Sequence, residues 1–144
     1  MITVRRLSIE DARVLIEGAE EKSREIGVPM CSAVTDEAGN LIAFTRMDGA
    51  KISSITIAMD KAFTGAAAKK GTHEYNQLAV PGKPTFGIHV TNQGRFSIIG
   101  GGLPIIINDE VVGGIGISGG TAEQDQNVAQ GAIDYSLSKI EAAK

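Results

Sequence analysis

The stretch Gly100–Gly120, GGGLPIIINDEVVGGIGISGG, decides the fold of this 144-residue chain. Two apolar runs, Pro104–Asn108 and Val111–Ser118, flank the turn residues Asn108, Asp109 and Glu110. β-Branched side chains dominate both arms, so the pattern predicts a β-hairpin with at least one buried face. Gly113, Gly114 and Gly116 interrupt the second arm. Isolated glycines inside a strand mark either bulges or a place where another backbone comes close. Ser118-Gly119-Gly120-Thr121 then leads directly into a helix, with Gln124 three residues beyond Thr121 in the spacing of a capping box. Free amides at such a turn can hold an anion, or the turn can be a plain strand-to-helix connection.

Working outward, Leu7–Ile26 has an S-x-x-D start at Ser8 and Asp11, an apolar face of Ala12, Leu15, Ile16 and Ala19, and a stop at Gly27; it reads as a helix. Met30–Thr35 and Leu41–Thr45 form a second hairpin signal across Asp36–Asn40. Ser53–Lys70 is the second helix, and Ala62, Gly65, Ala66, Ala67 and Ala68 give it a thin surface suited to close packing. His73–Val80 holds a further helical turn, broken by Pro81-Gly82-Lys83-Pro84. Phe86–Thr91 and Arg95–Ile99 alternate as strands, and the last helix runs over Thr121–Ala142. The order is α-β-β-α-(α)-β-β-β-β-α. Strands that come in hairpins predict an α+β domain with a mainly antiparallel sheet.

The run GGGLPIIINDEVVGGIGISGGTAEQD, with the blocks Arg46–Ala50 and Ala58–Thr64, resembles the signature of the GlcG/HbpS family, related to the C-terminal domain of PduO-type proteins. The resemblance covers nearly the whole chain, so residues 1–144 are taken as one domain of that type. It implies a profilin-like fold with helices flanking the sheet, binding of heme or a related tetrapyrrole, and a homo-oligomer, tetramer or octamer. It also keeps open an accessory enzyme of glycolate, diol or aromatic catabolism, one that grips a small carboxylate.

Composition narrows the choice. A net charge of −3, with four phenylalanines, two tyrosines and no tryptophan, gives neither a basic footprint nor stacking platforms for nucleic acid. The opening MITVRRLSIEDA has no signal-peptide core, and no apolar run approaches the ~20 residues of a membrane span. The expectation is a cytoplasmic protein with no membrane or nucleic-acid partner. The single cysteine, Cys31, lies in an apolar run and reads as a buried thiol.

The candidate ligand contacts are His89, His73, Lys61, Gly119, Gly120, Thr121 and Asp125. On the alternation of Phe86–Thr91, His89 shares a face with Gly87 and Thr91; it is either a pocket-lining ligand for heme iron or a solvent-facing strand histidine. His73 follows Gly71-Thr72 in a loop. Lys61 sits beside Ala58 and Ala62, where a lysine either meets a carboxylate or snorkels to solvent. Thr121 and Asp125 lie on one helix face near the glycine turn, to orient a ligand or to cap the helix. No non-heme metal site and no catalytic motif is present in the spacing.

Overall fold

The computed structural model describes residues 1–142. It contains α1 (Ile9–Ile26), β1 (Cys31–Asp36), β2 (Leu41–Arg46), α2 (Ser54–Ala68), β3 (Gly102–Ile107), β4 (Glu110–Ser118) and α3 (Ala122–Ala142). The strands form one antiparallel sheet in the order β2-β1-β4-β3. It is the α+β class that the sequence predicts.

Local chemistry explains the element ends. Ser8 and Asp11 form a reciprocal capping box on α1, and Gly27 closes that helix in the left-handed conformation at φ 69°. Ser53 precedes α2, but its side chain makes no cap bond. The β3–β4 turn consists of Asn108 and Asp109, with φ of 52° and 64°. Two consecutive positive φ values give a turn whose twist matches that of the paired strands, and Asn and Asp accept them more readily than most residues. Pro104 has no amide proton to donate, and it lies in β3, the edge strand.

The sheet is covered on both faces, which explains why β4 is buried over Val112–Ser118 without polar alternation. One face of the sheet carries Val34, Ile105, Ile107, Ile115 and Ile117 into the main core, which α1 and α3 complete with Leu15, Ala19, Val128 and Ala132. The other face is nearly bare, and α2 lies on it with Ala58 and Ala62 against Cys31 and Ala33. A Cβ at Gly114 would strike the Ala62 carbonyl and Ala66, and one at Gly116 would strike the Ala58 carbonyl and the Ala62 amide. Gly114 and Gly116 therefore serve close approach; the register shift in the β3–β4 pair, between Ile105 and Ile106, leaves Val112 as the extra residue in β4 beside Gly113. Cys31 is fully buried, and burial pushes its thiol above the ordinary range, with Arg46 pulling the other way.

One part of the predicted order is corrected. Phe86–Thr91 and Arg95–Ile99 are not strands: Ile88–Val90 and Asn92–Gly94 are single 3-10 turns, and Arg95–Ile99 is irregular. The cause is backbone handedness. Gly87 (φ 98°), Asn92 (53°), Gln93 (62°) and Gly94 (78°) all lie in the left-handed region, which extended pairing cannot accommodate. The predicted helical turn after His73 is likewise a 3-10 turn, Thr72–Tyr75. This long connection runs from α2 to β3 and is fastened by two threonines. Thr64 Oγ1 donates to the Arg95 carbonyl (3.2 Å) and accepts the Ser97 amide (2.8 Å). Thr72 Oγ1 donates to the Ile99 carbonyl (2.5 Å) and accepts the Gly102 amide (3.0 Å).

Candidate functional site

Two groupings contain the predicted residues. The first joins Lys61, Asp125 and Gly120. Lys61 projects from α2, one turn short of Gly65, toward the sheet and is 1% exposed. Its Nζ donates to the Asp125 carboxylate (Oδ2, 2.8 Å) and to the Ile117 carbonyl (3.0 Å). Asp125, on the first turn of α3, accepts the Gly120 amide on its other oxygen at 2.8 Å. Gly101 lies over the ammonium so closely that a Cβ there would stand 2.8 Å from Nζ. A buried charge of either sign is costly unless it is paired and hydrogen-bonded, and here both are. The network pins α2, β4 and α3 together at one point.

The turn beside it is equally self-contained. The Thr121 amide donates to Gln124 Oε1 (2.9 Å), and the Gln124 amide donates to Thr121 Oγ1 (3.1 Å), completing the predicted capping box. With the Gly120 amide held by Asp125, three of the amides at the turn and helix start, those of Gly120, Thr121 and Gln124, are already engaged. The special dihedral belongs to Gly119, at φ 154°, where a Cβ would stand 2.7 Å from the Pro29 carbonyl. Gly120 has no positive φ; its nearest neighbour is Gln124 Oε1, the atom that accepts the Thr121 amide.

The second grouping surrounds His89, on the outer side of α2. Ile57 and Asp60, one helical turn apart, form one wall of a recess of about 310 Å³; Gly94, Phe96 and Ser97–Ile99 form the other, with His89 at its margin. Phe96 is buried, whereas Ile57 and Ile99 are 37% and 49% exposed. The His89 ring is half-buried and tilted against Phe86 at a centroid distance of 5.9 Å. Its Nδ1 is buried and has no hydrogen-bond partner among the described residues, so a polar atom stands unsatisfied beside an apolar surface. The 3-10 turn, not a strand, sets the direction of this side chain.

Asp60 also borders a neighbouring recess of about 280 Å³, formed by Thr35, Gly39–Leu41, Met59, Phe63 and Arg95. Arg95 lies over the Phe63 ring, its guanidinium carbon 4.0 Å from the centroid. Partial burial raises the Asp60 carboxyl above its ordinary range, and the positive charge of Arg95 opposes that shift. Sequence reasoning overlooked Arg95, because its orientation depends on a ring 32 residues earlier in the chain, at Phe63. His73 stands apart from both groupings as an exposed side chain whose ring packs against Gly71. Among the described residues no cluster of three or more His, Cys, Asp and Glu side chains is placed to hold a metal ion, and no helix is long and apolar enough to cross a membrane.

A small α+β domain with a glycine-lined sheet face and an outer recess beside α2 is the class of protein that these features define. The model of the family described as "Haem degrading protein HbpS-like" matches residues 7–134, and the chain belongs to that family. The chain is 41% identical over 128 residues to a 15.0 kDa protein of the dhaT–dhaS intergenic region of Citrobacter freundii, covering 89% of this chain and 90% of that one. It is 35% identical over 127 residues, 88% of its own length, to corrinoid adenosyltransferase PduO of Salmonella typhimurium, but spans only 38% of that larger protein. Among solved structures, Klebsiella pneumoniae protein ORFY superposes with a TM-score of 0.93 at 40% identity, over 95% of this chain and 94% of that one. The PduOC:heme complex superposes with a TM-score of 0.86 at 35% identity, over 90% and 94% of the two chains.

Proposed function

We propose that this protein binds heme, or a related tetrapyrrole, in the recess between α2 and the Gly94–Ile99 segment, with His89 as the nitrogen donor to the iron. The observation that carries this reading is the unsatisfied imidazole of His89 at the margin of an apolar recess. The His89 side chain makes no hydrogen bond to the described residues, so a ligand that engages this imidazole breaks none. The heme carried by the similar PduOC structure supports the ligand class. Iron held through an imidazole supplies redox and oxygen chemistry. The chain contributes orientation through His89 and an apolar surface through Ile57, Phe96, Ile98 and Ile99.

The recess, at about 310 Å³, lies at the lower end of the ~300–1,000 Å³ usual for ligand pockets. A macrocycle would project from it, and a second copy of the chain in a tetramer or octamer would cover the remainder. The small-carboxylate reading at Lys61 and the Gly119-Gly120-Thr121 turn has weaker support, since the cation and the amides there are engaged internally.

Hemin titration followed by the Soret band tests this reading. The parent should show a saturable shift, His89→Ala should lose most of it while keeping its fold, and His73→Ala should lose little. Equal binding by both variants would eliminate histidine ligation, and no shift in the parent would eliminate tetrapyrrole binding. Light scattering on the same samples should give a multiple of the 15.0 kDa chain; a monomer at micromolar concentration would remove the oligomeric part.

A further inference from the structure

We infer that Arg95 receives a peripheral carboxylate of the bound tetrapyrrole, and that Asp60 sets how strongly it does so; this rests on the heme reading above. The recess beside His89 and the recess beneath Arg95 adjoin at one residue, Asp60, which borders both. On α2, Ile57 lies one turn before Asp60 and Phe63 one turn after it, so the two recesses lie side by side along the outer surface of the helix and are taken together as one groove. At one end the groove is apolar, with Ile57, Ile98 and Ile99. At the other it is cationic.

The cationic end is prepared for an anion. The guanidinium sits over the Phe63 ring, and Nε donates to the Asn92 carbonyl at 3.1 Å. The terminal nitrogens have no ion-pair partner among the described residues. An arginine fixed in this way presents its remaining donors with little further loss of freedom, and their planar fork suits a carboxylate. A ligand with an apolar body and an acidic edge matches the groove in both respects. An acidless macrocycle matches only half of it. Asp60 makes no hydrogen bond through its own carboxylate to the described residues, stands between the two ends, and feels the positive charge of Arg95. When ionised it competes with an incoming carboxylate for that charge; when neutral it does not.

The test compares hemin, which carries two free carboxylates, with hemin dimethyl ester, which carries none. The full chain and its Arg95→Gln, Arg95→Lys and Asp60→Asn variants are titrated with each, with thermal midpoints as a check on folding. The parent should prefer hemin. Arg95→Gln should weaken hemin by about tenfold, the effect of one charge-assisted hydrogen bond, and leave the ester unchanged. Arg95→Lys should recover part of the loss, since it restores charge without the fork. Asp60→Asn should strengthen hemin relative to the ester. A parent that binds both forms alike, or an Arg95→Gln variant that weakens both equally, overturns the assignment of Arg95 and leaves heme binding standing. A parent that binds neither form overturns the heme reading and this inference together.

Discussion

Lys61→Met should lower the free energy of unfolding by about 3–5 kcal/mol, the usual effect of removing one partner from a buried ion pair. The lysine is 1% exposed and Asp125 is 3% exposed, so the carboxylate left behind would have no water to replace the ammonium. The Gly120 amide would remain its only bond from the described residues, at 2.8 Å. Removing both charges is a different matter. Lys61→Met combined with Asp125→Leu leaves no unpaired ion, and apolar groups of similar volume often replace a buried pair at little net cost. The double variant should therefore be more stable than Lys61→Met alone, and urea denaturation of the two single variants and the double completes the cycle. Simple additivity of the two losses would show that Lys61 and Asp125 do not act as a unit. The same variants separate structure from ligand binding, since the heme reading predicts that a folded double variant still binds hemin.

Gly116→Val should cost about 3 kcal/mol, at the upper end of what overpacking usually costs. The reason is contact between backbones. Its new Cβ would enter the space occupied by the Ala58 carbonyl and the Ala62 amide, and a helix backbone cannot rotate aside as a side chain can. Gly102 lies directly opposite Gly116 in the sheet and is confined in turn by the Lys61 carbonyl, so lifting α2 would disturb both strands and the Lys61 network. Gly131→Ala is the contrasting change. Its neighbour is the Lys22 side chain, whose Cγ would be 2.9 Å from the new Cβ and which can swing away. Within α3 an alanine gains up to about 1 kcal/mol over glycine. Thermal denaturation should separate the two clearly; equal midpoints would refute close packing of α2 on β4.

Much of the scaffold was legible because its signals are local. Asn108-Asp109 carries its turn preference in the side chains themselves, and Ser8–Asp11 and Thr121–Gln124 satisfy amides three residues away. The small-residue faces of α2 and β4 could also be read, because glycine and alanine at helical or strand spacing have few other uses. What escaped was non-local. Lys61 could be placed on a helix face, but its partner lies 64 residues further on, and only the folded sheet decides whether that face meets solvent, ligand or Asp125. Phe86, Ile88 and Val90 alternate like a buried strand, yet Phe86 and Val90 are 55% and 69% exposed. Periodicity reports which residues share a side and carries no information on whether a neighbouring strand exists. The left-handed run Asn92–Gly94 was the available warning, since Asn and Gly are the residues that most readily take that conformation.

The fastening of the long connection by Thr64 and Thr72 divides the molecule into a constant chassis and an exchangeable fitting. Both hydroxyl groups belong to the chassis side, on α2 and just beyond it, and they grip the connection only near its return to β3. Between Tyr75 and Arg95 the chain is mostly exposed and adds only Ala79 to the buried apolar residues. Its length and composition can therefore drift, by insertion or by wholesale replacement, while the glycine-lined sheet and its helices stay as they are. If His89, within that replaceable span, and Arg95, at its end, meet the ligand as proposed, relatives sharing this chassis can acquire new ligand preferences without having to redesign a core.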